Sequence, residues 1–357
     1  MQARIKRADI EAFKTNASQI PKHEDNPILQ FIKVTIEGDF ATLIKSNLDS
    51  FVVHTISNDS EDCSFLVDEK ILFEFVELSS SEYIYFSIEE NRIRIYDERY
   101  NTKSPTERAE LFAQIDSNSG EWTHIPKTAL TAIGIVAEIV FGDEISGVRN
   151  TIFVGDGHVS GSDATIGYYQ KFSETLPKLS LRKKVAISIA KMPKAEHSSN
   201  SSFDLFRDNH VLFGFRKSEI NWFDLSKPFG SISNDADFIL NKHLLIKWNT
   251  YCINSCKSKS LTSEWKANGN RLDLILLDKG YSIDNDAYFD ILNGSGEFVY
   301  NPETMNQILK VLPGDTIYFH SGQNRMYMTD LDRSYTAAIM LIDKSSAQSA
   351  EKNKKEK

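Results

Sequence analysis

The sequence predicts an α+β protein made of three tandem copies of one domain of about 115 residues. Three observations carry that expectation. A hairpin motif recurs at near-constant spacing, an amphipathic helix precedes each hairpin, and another helix opens each third of the chain.

The hairpins run from Tyr83 to Tyr96, Phe203 to Phe213 and Thr316 to Met328. Each has an alternating strand, a polar turn carrying Asn and a second alternating strand, the pattern of two half-buried arms joined by turn formers. The marker residues Asn91, Asn209 and Asn324 stand 118 and 115 residues apart. That period is too long for a solenoid unit and suits whole domains.

The helices before the hairpins follow from periodicity and caps. Asp68 can cap a helix with Ile71, Leu72, Phe75 and Leu78 on one face. Asn301 caps another with Met305, Ile308, Leu309 and Leu312 inward; Pro302 suits its first turn and Pro313-Gly314 stops it. In the middle copy Ser180 is the expected cap, with Val185, Ala186, Ile189 and Met192 inward. The opening helices place Ile10, Phe13, Ala17 and Ile20, then Leu130, Ile133, Ala137 and Val140, at helical spacing; His243 to Cys256 is a less clean third copy. Strand patterns follow at Phe31 to Ile56, Thr151 to Phe172 and Arg271 to Leu292. Polar turn segments at Ser117 to Glu121 and Ser231 to Asp235 set domains at 1–118, 119–233 and 234–343, with a disordered tail at 344–357.

Composition narrows the function classes. Hydrophobic and charged contents of 41% and 25% are those of soluble globular protein. No stretch approaches the roughly 20 apolar residues of a membrane span. Met1 to Phe13 mixes Arg4, Lys6 and Arg7 with Asp9 and Glu11 and reads as no signal peptide. Cys63, Cys252 and Cys256 are too few for a disulfide scaffold, so a reducing cytoplasm is the expected compartment. The net charge of −9 argues against a surface that coats nucleic acid throughout, yet allows a locally basic lining.

Signals for chemistry are weak. Gly155-Asp-Gly157 with Gly161 has neither Walker nor dinucleotide spacing and reads as a strand turn. Cys252 and Cys256 lack a His pair at zinc spacing, and Asp284-Asn-Asp286 with Asp290 lacks the Gly and Glu of a calcium loop. No Gly-x-Ser-x-Gly elbow occurs. No enzyme, cofactor or metal site is expected.

The ordered set of motifs resembles the bacterial beta sliding clamp, the beta subunit of DNA polymerase III. The most specific likeness is Phe298-Val-Tyr-Asn-Pro-Glu-Thr-Met-Asn-Gln-Ile-Leu-Lys-Val-Leu312, its hairpin, and Tyr335-Thr-Ala-Ala-Ile-Met-Leu-Ile342. That family has an aromatic strand, an Asn-capped helix, a hairpin and a terminal apolar strand there. Ser46-Asn-Leu-Asp49 is similar to its Thr-Asp-Leu-Glu turn. Two places depart. Ser162-Asp-Ala-Thr-Ile-Gly167 stands where the family carries Thr-Asp-Gly-His-Arg-Leu, and Ile339-Met-Leu-Ile-Asp343 replaces its Met-Pro-Met-Arg-Leu finish.

The resemblance implies three clamp-type domains, each with two helices on antiparallel sheets. Two copies would join head to tail in a ring, helices facing a central hole. It implies a non-catalytic processivity factor whose partners are double-stranded DNA, a DNA polymerase, clamp-loader peptides and a second copy. Sequence-independent phosphate attraction would fall to Arg4, Lys6, Arg7, Lys14, Lys127, Arg182, Lys183, Lys184, Lys191, Lys194, Lys242, Lys247, Lys257, Lys259 and Lys310. The bland reading of the Arg182–Lys184 run is a solvated helix face. A partner-peptide cleft would be walled by Val148, Ile152, Thr165, Ile166, Met340, Leu341 and Ile342, against the alternative that they are ordinary core strand residues. Ring closure would use Tyr96, Tyr100 and Thr102 against Ile253. Two other classes remain open: a clamp-fold interaction platform that does not encircle DNA, and an unrelated three-repeat enzyme.

Overall fold

The computed structural model describes all residues except 1, 23–24, 90–91, 141–143, 219, 221–225, 230–231, 233–234, 256–261, 269–270, 278–285, 291–294, 323 and 343–357. One order of elements occurs three times along the chain. In the first repeat β1 (Gln2–Lys6) and α1 (Arg7–Ala17) lead to β2 (Phe31–Glu37), β3 (Phe40–Ser46), β4 (Ser50–Ser57) and β5 (Cys63–Asp68). Then come α2 (Glu69–Leu78), β6 (Tyr83–Glu89), β7 (Arg92–Tyr96) and β8 (Asn101–Pro105). The second repeat has β9 (Thr123–Ile125), α3 (Lys127–Ile139), β10 (Thr151–Gly155), β11 (His158–Ser162), β12 (Ile166–Lys171) and β13 (Leu179–Arg182). It ends with α4 (Lys183–Ala190), β14 (Ala195–Ser199), β15 (Phe203–Asp208) and β16 (Val211–Arg216). A short α5 (Ser226–Phe229) precedes the third repeat: β17 (Phe238–Asn241), α6 (Lys242–Ser255), β18 (Thr262–Asn268), β19 (Arg271–Leu277), β20 (Asp286–Asp290) and β21 (Ser295–Tyr300). Its second half is α7 (Pro302–Val311), β22 (Thr316–Ser321), β23 (Arg325–Thr329) and β24 (Tyr335–Met340).

These elements form two compact units. The first, 1–127 with 191–217, holds the sheet β1-β6-β7-β8 and the eight-stranded sheet β5-β2-β3-β4-β16-β15-β14-β9. The second, 128–190 with 218–357, holds β13-β10-β11-β12-β24-β23-β22-β17 and β20-β19-β18-β21. Each eight-stranded sheet is two four-stranded sheets from different repeats joined edge to edge. The joint β4–β16 pairs Val211 with His54 through Phe215 with Ser50; the joint β12–β24 pairs Ile166 with Ile339 through Gln170 with Tyr335. Glycine makes room at both. A Cβ on Gly214 would sit 2.2 Å from the Phe51 ring, and one on Gly167 would sit 2.8 Å from that of Phe229.

Helix faces and strand alternation build both cores. In the first unit Ile10, Phe13 and Ala17 on α1 and Leu72, Phe75 and Val76 on α2 are buried with Val34 and Leu43 of the sheet. In the second unit Leu130, Ile133 and Ala137 on α3, Ala186 and Ile189 on α4, and Met305, Ile308 and Leu309 on α7 play the same part. Fully burying a Val, Leu, Ile, Phe or Met side chain contributes about 1.5–3 kcal/mol each. Asp68 Oδ1 accepts from Ile71 N, and Asn301 Oδ1 from Glu303 N and Thr304 N, as the cap pattern predicts.

Several expectations are corrected. Ser180 caps nothing: it pairs with Phe153 inside β13, and pairing continues to Arg182, so α4 starts only at Lys183. Leu78 is the last residue of α2 and is 67% exposed, because the chain leaves the helix at Ser79, whose Oγ donates to Asp97. Arg4 and Lys6 lie on a strand, where Ala3 and Ile5 alternate inward. The strands β1, β5, β8, β9, β13, β14, β17 and β18 were not anticipated. Asn91, Cys256, Lys257, Lys259 and the tail from Lys344 lie outside the described residues.

Candidate nucleic-acid interface and partner cleft

The basic residues separate into three groups by their surroundings. In the first unit Arg4 grips Asp59 with two hydrogen bonds, Nε to Oδ1 at 3.1 Å and Nη2 to Oδ2 at 2.5 Å, which holds the Asp59 carboxyl below its usual range. Arg7 pairs with Glu11 at 2.5 Å one turn on, and Lys14 pairs with Glu77 of α2. Lys6 is exposed beside this cluster.

A second group closes helix ends, where the last carbonyls lack intrahelical partners and carry partial negative charge. Lys183 Nζ donates to Val140 O past α3, and Lys242 Nζ to Leu312 O past α7, both at 2.9 Å. In the first unit Lys45 plays this part: Nζ donates to Ala17 O at 3.0 Å and pairs with Glu69 at 2.7 Å, only 2% exposed. Sequence reasoning missed Lys45, although it occupies an inward position in the alternation Ala41, Leu43, Lys45 of β3.

The third group lies toward solvent. Lys127 opens α3, Arg182 ends β13, Lys184 lies on α4, Lys191 and Lys194 follow it, Lys247 is midway along α6 and Lys310 is in the last turn of α7.

The proposed cleft residues also divide. Ile152 and Ile166, 0% and 1% exposed, belong to the core, so they wall no cleft; Val148 is 42% exposed. Thr165 is exposed on a turn held by Asp163 Oδ1, which accepts from Thr165 N, Thr165 Oγ1 and Ile166 N at 2.6–2.8 Å. That turn meets the terminal strand: Met340 N donates to Thr165 O at 2.8 Å. Leu341 and Ile342 are half-buried, donating to Asn324 O and Val299 O.

Met340 opens onto a pocket of about 400 Å3 shared with Ile232, Asn324, Arg325 and Tyr327. A second pocket of about 280 Å3 adjoins it through Ile232 and is lined by Tyr169, Lys171, Phe229, Arg333 and Tyr335 among others. Phe229 of α5 stacks on Tyr169 at 5.9 Å and meets the Tyr327 ring edge-on at 6.3 Å; with Ala338 these form one buried cluster. Phe229, Ile232, Lys171, Arg325 and Arg333 were not foreseen, since no periodic pattern marks side chains that meet across strands of different repeats.

The candidate closure residues sit at one sheet edge and one helix. Tyr96 stacks on Tyr85 at 5.4 Å under the Arg94 guanidinium, Tyr100 is 47% exposed in the following turn, and Thr102 lies on the edge strand β8. Ile253 is half-buried on α6. Among the described residues no His, Cys, Asp and Glu cluster suits a metal ion, and no helix is long and apolar enough to cross a membrane.

No family model and no curated protein matches the sequence. The structure is similar to solved DNA polymerase III beta subunits. That of Pseudomonas aeruginosa superposes with a TM-score of 0.84 at 12% identity, covering 96% of this chain and 100% of that one. That of Thermotoga maritima gives 0.81 at 16% identity, covering 96% and 99%. The Helicobacter pylori beta clamp bound to a DNA ligase peptide gives 0.82 at 14%, covering 96% and 100%. Over nearly its whole length, and despite an identity of only 12% to 16%, this chain has the fold of the bacterial DNA polymerase III beta subunit, the sliding clamp.

Proposed function

We propose that the chain is a sliding clamp: domains 1–118, 119–233 and 234–343 of two copies close head to tail around duplex DNA and tether a polymerase and other replication proteins. One observation carries this reading. The third strand of a repeat's first meander joins the last strand of the next repeat, as β4 joins β16 and β12 joins β24. The strands at the two equivalent places, β20 and β8, end their sheets. An uncovered edge is a template for another strand, and one of each kind suits a head-to-tail contact that closes with a second copy.

Topology would hold such a ring on DNA, so weak phosphate attraction through Arg182, Lys184, Lys191, Lys194, Lys247, Lys310 and Lys127 suffices and leaves it free to slide. The pockets beside Met340 would take partner peptides, as the Helicobacter pylori clamp takes a ligase peptide. The assigned role is non-catalytic and cytoplasmic.

Light scattering over a concentration series tests closure. The expected mass is twice that of the 40.5 kDa chain. Tyr100→Asp with Thr102→Asp, which puts like charges on the β8 edge, should return the monomer without lowering the melting midpoint. A wild-type chain that stays monomeric at high concentration removes the self-closing ring and favours the interaction platform.

A further inference from the structure

The second pocket, of about 280 Å3, lies at the end of the β12–β24 joint away from Met340. Thr336, which lines it, stands four residues back along β24, about 13 Å at the rise of a strand. Lys171, the last residue of β12, and Arg333, in the turn that leads into β24, both line the pocket, so each repeat contributes one cation. Ser226 and Thr336 add hydroxyls. No carboxylate lines it among the described residues, although the chain carries a net −9. Asp330, which opens the turn, is engaged by its own loop: it accepts from Ser334 N at 2.7 Å and from the Ser334 hydroxyl.

The joint of the first unit is an internal reference. β16 enters it as β24 enters the other, and stepping outward from the paired residues matches Lys171 with Thr55, Ser334 with His210 and Arg333 with Asn209. Asn209 has φ 50° and Arg333 φ 53°. That left-handed region is tolerated by Asn, whose side chain is short and polar, and disfavoured by a long one. The second unit therefore keeps an arginine where the backbone suits asparagine better, and that arginine lines a cavity. Strain retained at such a place marks a candidate binding position.

We infer that this pocket is an anion site for a phosphate-type oxyanion, either free diphosphate or the phosphate of a small ester, held by Lys171 and Arg333. Arginine supplies a planar fork and lysine a point charge, and both recognise phosphoryl oxygens. The cavity is slightly smaller than the roughly 300 Å3 at which drug-sized sites begin, so the occupant is small. Its aromatic floor is closed: Tyr169 and Phe229 stack at 5.9 Å and neither is more than 9% exposed, so polar contacts do the holding. The inference depends on neither ring closure nor partner binding.

Isothermal titration calorimetry on the full chain tests it with sodium diphosphate and with glycerol 3-phosphate, without magnesium and at ionic strength fixed by potassium chloride. Saturable uptake of one diphosphate or one ester per chain is expected, and the tighter probe identifies the source. Lys171→Gln, at an exposed strand end, should weaken that probe at least tenfold. Arg333→Asn should do the same while holding or raising the melting midpoint, since it restores the residue of the first joint. Lys70→Gln in the first unit, 76% exposed, should change neither. No saturable uptake of either probe, undiminished binding by Lys171→Gln, or an equal loss in Lys70→Gln overturns the site. Displacement of the bound probe by a short DNA duplex would make the pocket part of a DNA-binding surface, and the inference would fall.

Discussion

The helices of the first repeat and those of the other two use the same scaffold with opposite charge. On α1 and α2, Asp9, Glu11, Glu69, Glu74 and Glu77 outnumber Arg7, Lys14 and Lys70, and both α1 cations are ion-paired. On α3, α4, α6 and α7, Lys127, Lys183, Lys184, Lys242, Lys247 and Lys310 outnumber Glu138 and Glu303. A helix whose cations are already met by neighbouring carboxylates releases few counterions on meeting a phosphate, whereas a helix face with an excess of lysines releases more. On the proposed function, counting lysines would therefore overstate the first repeat's share of phosphate attraction, which would fall mainly to the other two.

The largest effect expected is on stability, from the lysines that close helix ends. Lys45→Ala leaves Glu69, only 12% exposed, without its cation, a change that costs about 3–5 kcal/mol. Lys183→Ala removes a single hydrogen bond to a carbonyl and should cost about 0.5–1.5 kcal/mol. Urea melts of the two variants measure the difference; equal losses would break the distinction between a buried ion pair and a half-exposed cap.

DNA binding sharpens the comparison next. Arg182→Glu with Lys247→Glu should weaken binding and flatten the dependence of log affinity on log salt, by about 0.9 for each phosphate no longer neutralised. Arg7→Ala with Lys14→Ala should leave that slope nearly unchanged, since both cations face Glu11 and Glu77. A larger drop in affinity from the α1 pair than from Arg182 and Lys247 would reverse the assignment.

The smallest effect is that of pH on folding. Burial pushes His54 and His320 below the usual histidine range, so both are neutral in the folded chain near pH 7. The unfolded chain then binds more protons below about pH 6.5, and stability should fall as pH drops through that value. His54→Gln with His320→Gln should flatten that decline, read as the shift of the urea midpoint between pH 7 and pH 5.

Local pattern made the hairpins and most helices legible, because alternation and helical periodicity need only neighbours in sequence. Asn209 has φ 50°, the left-handed turn geometry its position between two alternating arms implies. The short leading strands were missed since three to five residues give little period, although Ala3 and Ile5 do alternate with Arg4 and Lys6. β18 was missed because Thr262–Asn268 is mostly polar and buries Ser263 and Glu264 alongside Trp265, so no apolar alternation marks it. The pocket beside Met340 was half legible. Met340 follows from the order of motifs, whereas Thr165 lines neither pocket, and Phe229 and Ile232 come from a connecting segment with Pro228 and Gly230, where no repeat marks a side chain that packs across strands. The sorting of cations was illegible for the same reason: Asp59 and Glu77 reach Arg4 and Lys14 only through the fold.

Encirclement is the central claim, and retention on DNA tests it most directly. The chain would be placed on a nicked circular duplex by assembly at high protein concentration, then passed through a sizing column at high salt before and after a single cut linearises the DNA. The protein should stay with the circle and be lost from the linear form. Equal retention on both, or loss from both at concentrations where the mass is that of two chains, would contradict encirclement.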